Sequence, residues 1–170
     1  RLALAAQASS KARAGGGDAD PWRPRASRGR RRAEALVPLL AAYSVTRVVT
    51  SPSVRCLDTV LPYAVATGYG TSVKIGLSEE GFAERPERAP HHLTRLLERG
   101  EPAVLCSHGP VLPVLFEALA GIADSSESPA KITLSEVARR GISKGEAVVA
   151  HVVGTGAQAR VVDVERYPAP

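Results

Sequence analysis

The sequence has no methionine, two cysteines and few aromatic residues, which make up 4% of its 170 residues. Two cysteines cannot form a disulfide scaffold, and Cys56 and Cys106 lack the close spacing of a zinc site. We interpret both as reduced thiols of a cytoplasmic protein; a disulfide between them is the alternative. No apolar run approaches the roughly 18 residues of a membrane span, and no secretory signal is recognisable. The sequence therefore predicts no metal, no cofactor and no membrane association.

Histidine is also scarce, with four residues in all and none before His91. The chain begins at Arg1 without methionine, so we expect a fragment of a longer polypeptide or a trimmed form of one. Its length suits a single domain over residues 1–170 with a sizeable core.

Positive charge is concentrated at the start of the chain. Residues 1–32 hold nine Lys or Arg against Asp18 and Asp20, a balance of +7, whereas the remainder holds thirteen against fifteen, a balance of −2. Such a cluster, Arg28–Arg32 in particular, could bind nucleic acid or another anion. A solvated loop and helix face is the plainer interpretation, because no set of aromatic residues offers a stacking platform for bases.

Apolar runs alternate between strand and helix patterns along the chain. Breaker residues predict loops at 9–27 and 124–130, and residues 77–89 are expected to be a loop or irregular. Strands are predicted at 1–8, 45–50, 73–75, 103–106, 147–153 and 159–164, the last two joined as a hairpin by Gly154-Thr155-Gly156. One helix is predicted at 28–43 with Ser27 as its N-cap, and a second runs from a Ser51 cap and Pro52 to about residue 66. Two more are predicted at 91–99 and 111–120, while 132–139 is a short helix or irregular. This order predicts an α/β fold, a mostly parallel sheet with an antiparallel edge.

Three polar segments fall at the ends of predicted strands, where α/β proteins bind ligands. Ser107-His108-Gly109 follows a buried strand. Ser51–Thr59 opens a helix whose first turn contains Arg55, a residue type that binds phosphate through two donors. Leu77–Phe82 contains two carboxylates, Glu79 and Glu80, in what we expect to be a loop. Together they could offer a cation, an acid and an imidazole to one phosphoryl group.

In this order the three segments resemble the histidine phosphatase superfamily, which has the phosphoglycerate-mutase-like fold. The likeness is closest to the C-terminal phosphatase-like domain of actinobacterial two-domain MutT/Nudix proteins. It extends to Arg23-Pro24, to the stretch Arg28–Leu36 and to Lys144–Val149, and so covers nearly the whole chain. The resemblance implies a three-layer α/β/α sandwich, with phosphate or a phosphorylated small molecule or nucleotide as ligand and a Nudix domain upstream as partner.

The family's nucleophile is a histidine in an Arg-His-Gly motif at the end of the first strand. Ser10–Arg13 resembles the stretch just after that motif, which aligns Leu4-Ala5-Ala6 with it and puts Ala5 at the nucleophile position. The resemblance makes Arg55 the remaining phosphate-binding arginine, His108 the second pocket histidine and Glu79 the acid. Lys11 and Arg13 are candidates for the mouth of the site. His91 and His92 are expected to be exposed or capping, and His151 to be structural.

The residues allow three functions. The favoured hypothesis is a degenerate phosphatase-like domain, a scaffold or regulatory part of a Nudix-type nucleotide hydrolase that keeps a partial phosphate pocket. One alternative is an active phosphohydrolase, acting on phosphohistidine or a phosphomonoester, whose missing groups come from elsewhere. The other is a basic nucleic-acid-binding module.

Overall fold

The computed structural model describes residues 5–7 and 24–169, with side chains described from residue 29 onward. Helices and strands alternate through these residues, and two strands close the order. The strands are β1 (Ala5–Gln7), β2 (Arg47–Thr50), β3 (Thr71–Val73), β4 (Ala103–Ser107), β5 (Ala147–Val153) and β6 (Arg160–Tyr167). The helices are α1 (Pro24–Ala42), α2 (Val54–Thr67), α3 (Glu79–Glu84), α4 (Arg88–Arg99), α5 (Leu112–Gly121) and α6 (Pro129–Arg140).

The strands form one sheet in the order β3-β2-β4-β1-β5-β6. The first four in that order run parallel, while β5 pairs antiparallel with both β1 and β6. The predicted mostly parallel sheet with an antiparallel edge is confirmed. In such a sheet the carboxyl ends of β2, β3 and β4 lie at one edge, and this edge carries the candidate site.

Helices cover both faces of the sheet, because its central strands are apolar on both sides. Val48, Val104 and Val149 pack in a cluster with residues of α1 and α2. Their neighbours Val49 and Leu105 point to the opposite face and join a larger cluster with α4, α5 and α6. Each fully buried aliphatic side chain contributes about 1.5–3 kcal/mol. The predicted three-layer sandwich is confirmed, and none of the described helices is both long and apolar enough to cross a membrane.

The expectation of an irregular segment over residues 77–89 is wrong. Glu79 and Glu80 form the first turn of α3 instead of a loop, because Ser78 caps that helix by accepting a hydrogen bond from the Gly81 backbone N–H. α4 also starts earlier than predicted, at Arg88, since Pro90 falls in its first turn, where a missing N–H costs nothing.

The other differences lie at the ends of the predicted elements. α1 begins at Pro24, inside the predicted 9–27 loop and before the predicted Ser27 cap, while the rest of that loop up to residue 23 lies outside the described residues. α6 begins at Pro129 under a Ser128 cap, which shortens the predicted 124–130 loop and settles 132–139 as helix. The cap of α2 is Ser53, not Ser51. β3 ends at Val73, and a 3-10 turn over Ile75–Leu77 replaces the end of the predicted 73–75 strand.

Candidate functional site

The candidate site lies where β2, β3 and β4 end. Ser51 follows β2, Glu79 begins α3 shortly after β3, and His108 follows β4. The parallel pairing of Thr50 with Cys106 brings the first and last of these strand ends level with each other. The three polar segments noted in the sequence therefore meet at one edge of the sheet.

His108 is at the centre of the site, with its side chain only 3% exposed. Arg55 Nε donates a hydrogen bond to His108 Nδ1 at 3.2 Å, and Arg55 Nη2 donates to Glu79 Oε1 at 2.7 Å. Glu79 Oε1 lies 3.6 Å from His108 Nδ1. A cation, a carboxylate and an imidazole are thus in mutual contact, and they are the three residues that the sequence singled out.

The other ring nitrogen of His108 points into the protein. His108 Nε2 lies 2.8 Å from the hydroxyl oxygen of Ser51, which is fully buried and also accepts a hydrogen bond from the Ser53 backbone N–H at 3.3 Å. Because His108 Nδ1 accepts from Arg55, the neutral ring carries its proton on Nε2 and donates it to Ser51 Oγ. Ser51 therefore holds the ring so that Nδ1 faces Arg55 and Glu79.

A cysteine completes the inner wall of the site. Cys56, in the first turn of α2, places its Sγ 3.5 Å from His108 Nε2 and 3.6 Å from the carbonyl oxygen of Ser107. The neighbouring Cys106 thiol is the main cause that lowers the pKa of Cys56 below its ordinary value. Cys56 in turn, together with burial, raises the pKa of Cys106. Both cysteines are free thiols.

The turn before α3 is held tightly enough to fix Glu79. Ser107 Oγ donates to the Leu77 carbonyl at 2.7 Å, which joins the end of β4 to this turn. A Cβ on Gly81 would overlap the carbonyl oxygen of Ile75, so only glycine fits there. Gly81 therefore allows the tight turn that positions the Glu79 carboxylate two residues earlier.

The remaining predicted residues lie away from this contact or outside the described part. Lys11 and Arg13 fall outside the described residues, and Ala5 is described only by its backbone, which pairs with Leu105. His91 is exposed on α4, and His151 is 2.6 Å from Glu165 at the opposite end of the sheet.

His92, half-buried on α4, lies against Gly76. Its burial is the main cause that lowers its pKa. Among residues 5–7 and 24–169, no three His, Cys, Asp or Glu side chains are grouped so as to hold a metal ion.

Sequence reasoning missed the roles of Ser51 and Cys56. The sequence predicts a helix cap for Ser51 and a reduced thiol for Cys56, without a role for either in the site. The available signal was weak: a serine at a strand end four residues before an arginine is compatible with a cap as well as with a histidine partner. Only the pairing of β2 with β4 brings these side chains to His108.

Residues 25–85 match the family model of the histidine phosphatase superfamily, branch 1, a range that includes Arg55 and Glu79 but not Ala5 or His108. An 8-oxo-(d)GTP phosphatase of Mycolicibacterium smegmatis is 35% identical over 98 residues, which is 58% of this chain and 30% of that protein. The chain therefore spans less than a third of the length of this curated relative.

Solved structures with the same fold include phosphatases at low sequence identity. A mycobacterial glucosyl-3-phosphoglycerate phosphatase superimposes with a TM-score of 0.63 at 15% identity, over 98% of this chain and 97% of that one. An alpha-ribazole phosphatase from Shigella flexneri gives 0.57 at 14% identity, over 94% and 98%. The family-model match over residues 25–85 and the shared fold together confirm the predicted resemblance to the histidine phosphatase superfamily.

Proposed function

We propose that this chain is a degenerate histidine-phosphatase-like domain that binds a phosphate group and does not transfer it. The contact of Arg55 with His108 and Glu79 is the observation that supports a retained pocket. The distribution of histidines along the sequence supports the loss of the nucleophile. The pocket and the missing nucleophile involve different residues, so each can be tested alone.

The pocket can bind an anion through groups that are already in place. The Arg55 guanidinium uses one N–H on His108 and one on Glu79, and its further N–H donors can meet phosphate oxygens. The Ser51 hydroxyl can either accept from or donate to His108 Nε2. If phosphate displaces the Arg55 N–H from His108 Nδ1 and Ser51 donates to Nε2, the proton of the neutral ring moves to Nδ1, and His108 becomes a second donor to phosphate.

Covalent catalysis by an imidazole requires a free ring nitrogen in line with phosphorus. Both nitrogens of His108 are engaged, and the ring is buried. The other three histidines of the chain are His91 and His92 on α4 and His151 beside Glu165. No histidine precedes residue 91, so none can come from the first strand, whichever of its residues aligns with the nucleophile.

We further propose that the domain serves as a scaffold or regulatory part of a Nudix-type nucleotide hydrolase. The supporting observation is its relative, an 8-oxo-(d)GTP phosphatase of which it spans 30%. A pocket that binds phosphate without catalysing its transfer could sense a phosphorylated substrate or product of such an enzyme. The sequence encoded upstream of Arg1 tests this role, because a Glu-rich metal-binding helix there is expected and its absence would contradict it.

The binding proposal is tested by thermal unfolding in phosphate and in chloride at equal ionic strength. Phosphate should raise the Tm of the wild type, and Arg55→Ala should remove most of that rise. Arg99→Ala is the matched control, since Arg99 is exposed at the end of α4, close to the start of β4 and not to its carboxyl end. An equal rise in the wild type and Arg55→Ala would contradict a pocket at this site.

The alternative, an active phosphohydrolase, is favoured by the same contact, because Arg55, His108 and Glu79 could serve turnover if a nucleophile were supplied from elsewhere. Hydrolysis of a phosphomonoester by the purified chain separates the two. Turnover that is abolished by His108→Ala would overturn the degenerate assignment, and the absence of turnover alongside phosphate binding would support it.

A further inference from the structure

The two cysteines of the chain lie together directly behind the candidate site. Cys106 is near the end of β4, Cys56 is in the first turn of α2, and both side chains are fully buried in the cluster between the sheet and α2. Cys56 Sγ lies 3.6 Å from the carbonyl oxygen of Ser107, the residue directly after Cys106, so the two side chains pack in the same part of this cluster.

This pair is coupled to the anion pocket by short contacts. Cys56 Sγ lies 3.5 Å from His108 Nε2, and Arg55 directly precedes Cys56 in the chain. Cys106 is two residues before His108 on the same strand. A covalent change at the two sulfurs would therefore act on both residues proposed to bind phosphate.

We propose that Cys56 and Cys106 form a disulfide under peroxide and that this bond disables the anion pocket. The bond itself does not depend on the proposed function, whereas its effect on phosphate binding rests on it. The reduced thiols are the binding-competent state. The pair would thus make phosphate binding sensitive to oxidation.

The chemistry balances with hydrogen peroxide as the two-electron oxidant. The Cys56 thiolate attacks one peroxide oxygen, an S–O bond forms, the O–O bond breaks, and the leaving hydroxide takes a proton to become water. The Cys106 sulfur then attacks the Cys56 sulfur, an S–S bond forms, and the S–O bond breaks. A second water leaves with the thiol proton of Cys106. The opposite pKa shifts favour this order, because the pKa of Cys56 is lowered and that of Cys106 is raised, so Cys56 is the sulfur that ionises first.

The bond would act mainly on the first turn of α2. β4 is hydrogen-bonded to β2 on one side and to β1 on the other, so Cys106 is held at the centre of the sheet. Cys56 would move toward it, away from His108 Nε2, and would draw Arg55 along. Because both sulfurs are fully buried, oxidation requires local opening of that turn and should be slow.

The test treats the reduced full chain with hydrogen peroxide, blocks remaining thiols under denaturing conditions, and analyses peptides by mass spectrometry. The expected product is a monomer with a Cys56–Cys106 linked peptide, lighter by two hydrogen atoms and reversed by dithiothreitol. The rise in Tm given by phosphate should be lost in that form and return on reduction. Two blocked thiols, or oxidation to sulfinic acid without a link, would overturn the proposal.

Cys106→Ala is the control variant, because it removes the bond and leaves Cys56 beside His108. Its phosphate response should be the same before and after peroxide, with circular dichroism confirming the fold. A linked wild-type peptide with an undiminished phosphate response would overturn the switch. If the reduced wild type shows no phosphate response, the proposed function fails, and the linked peptide alone still decides whether the disulfide forms.

Discussion

Glu79 competes with the phosphate that the pocket is proposed to bind. Its Oε1 accepts from Arg55 Nη2 at 2.7 Å and lies 3.6 Å from His108 Nδ1, so the carboxylate occupies one donor that a phosphate oxygen would use and places its negative charge beside the pocket. Glu79→Gln keeps the shape of the side chain and removes its charge. We therefore expect the variant to bind inorganic phosphate more tightly than the wild type.

The size of this effect follows from charge and exposure. A phosphate bound to Arg55 and His108 would lie within about 5 Å of the Glu79 carboxylate, where two unit charges repel by about 1 kcal/mol in water and by a few kcal/mol at a protein surface. The Glu79 side chain is 43% exposed, so solvent screening favours the lower figure. About 1 kcal/mol corresponds to roughly five-fold tighter binding.

Isothermal titration of phosphate into the wild type and Glu79→Gln measures the difference. Glu80→Gln is the matched control, because Glu80 stands in the same first turn of α3, is exposed, and makes no described hydrogen bond to Arg55. Its affinity should stay close to that of the wild type. Weaker binding in Glu79→Gln, or equal affinities in both variants, would refute the competition.

Three stability predictions follow from contacts around the sheet. Gly81→Ala should destabilise the fold by about 1–3 kcal/mol and weaken phosphate binding, because a Cβ there overlaps a backbone carbonyl and displaces α3. Arg166→Ala should cost about 3 kcal/mol, since it leaves the buried carboxylate of Glu146 without its main partner. The hydrogen bond from Tyr167 is the main cause that lowers the pKa of Glu165 from 4.5 to about 2. A carboxylate whose pKa is lower in the folded state stabilises the protein above about pH 4.5, and this contribution is lost as the pH falls through about 2. Glu165→Gln should therefore cost about 1 kcal/mol at neutral pH and progressively less below pH 4.5.

Urea unfolding checks all three. Glu136→Gln, which removes an exposed ion pair with Arg140, is the control for charge loss and should change the free energy of unfolding by less than about 0.5 kcal/mol. A wild-type free energy of unfolding in Gly81→Ala would contradict the close approach at that glycine. Loss of stability in Arg166→Ala no larger than in Glu136→Gln would contradict a buried ion pair. A cost in Glu165→Gln that does not change between neutral pH and pH 3 would contradict the lowered pKa.

The strands, and the polar residues that follow them, could be predicted because each is signalled by a local sequence pattern. β5 was placed at its observed bounds, since a run of β-branched residues bounded by glycine and polar residues has few other solutions. β4 with His108 at its end was found for the same reason. Arg55 was assigned to the first turn of a helix from Ser51 and Pro52, although the helix starts two residues later than that signal indicated.

The short elements could not be predicted, because tertiary contacts select them. α3 has only six residues, contains glycine and depends on a capping serine and on a close approach to Ile75. Likewise, the pairing of Ser51 with His108 joins residues 57 positions apart, and only the alignment of β2 with β4 determines it. The three polar segments were therefore visible in the sequence, while the way they contact one another was not.

Phosphorus NMR of a phosphomonoester mixed with the purified chain separates phosphate binding from phosphate transfer, because one spectrum reports both binding and hydrolysis. We expect the ester signal to shift or broaden with the wild type, Arg55→Ala to abolish this change, and no inorganic phosphate signal to grow. An inorganic phosphate signal that grows with the wild type and not with His108→Ala would contradict this expectation.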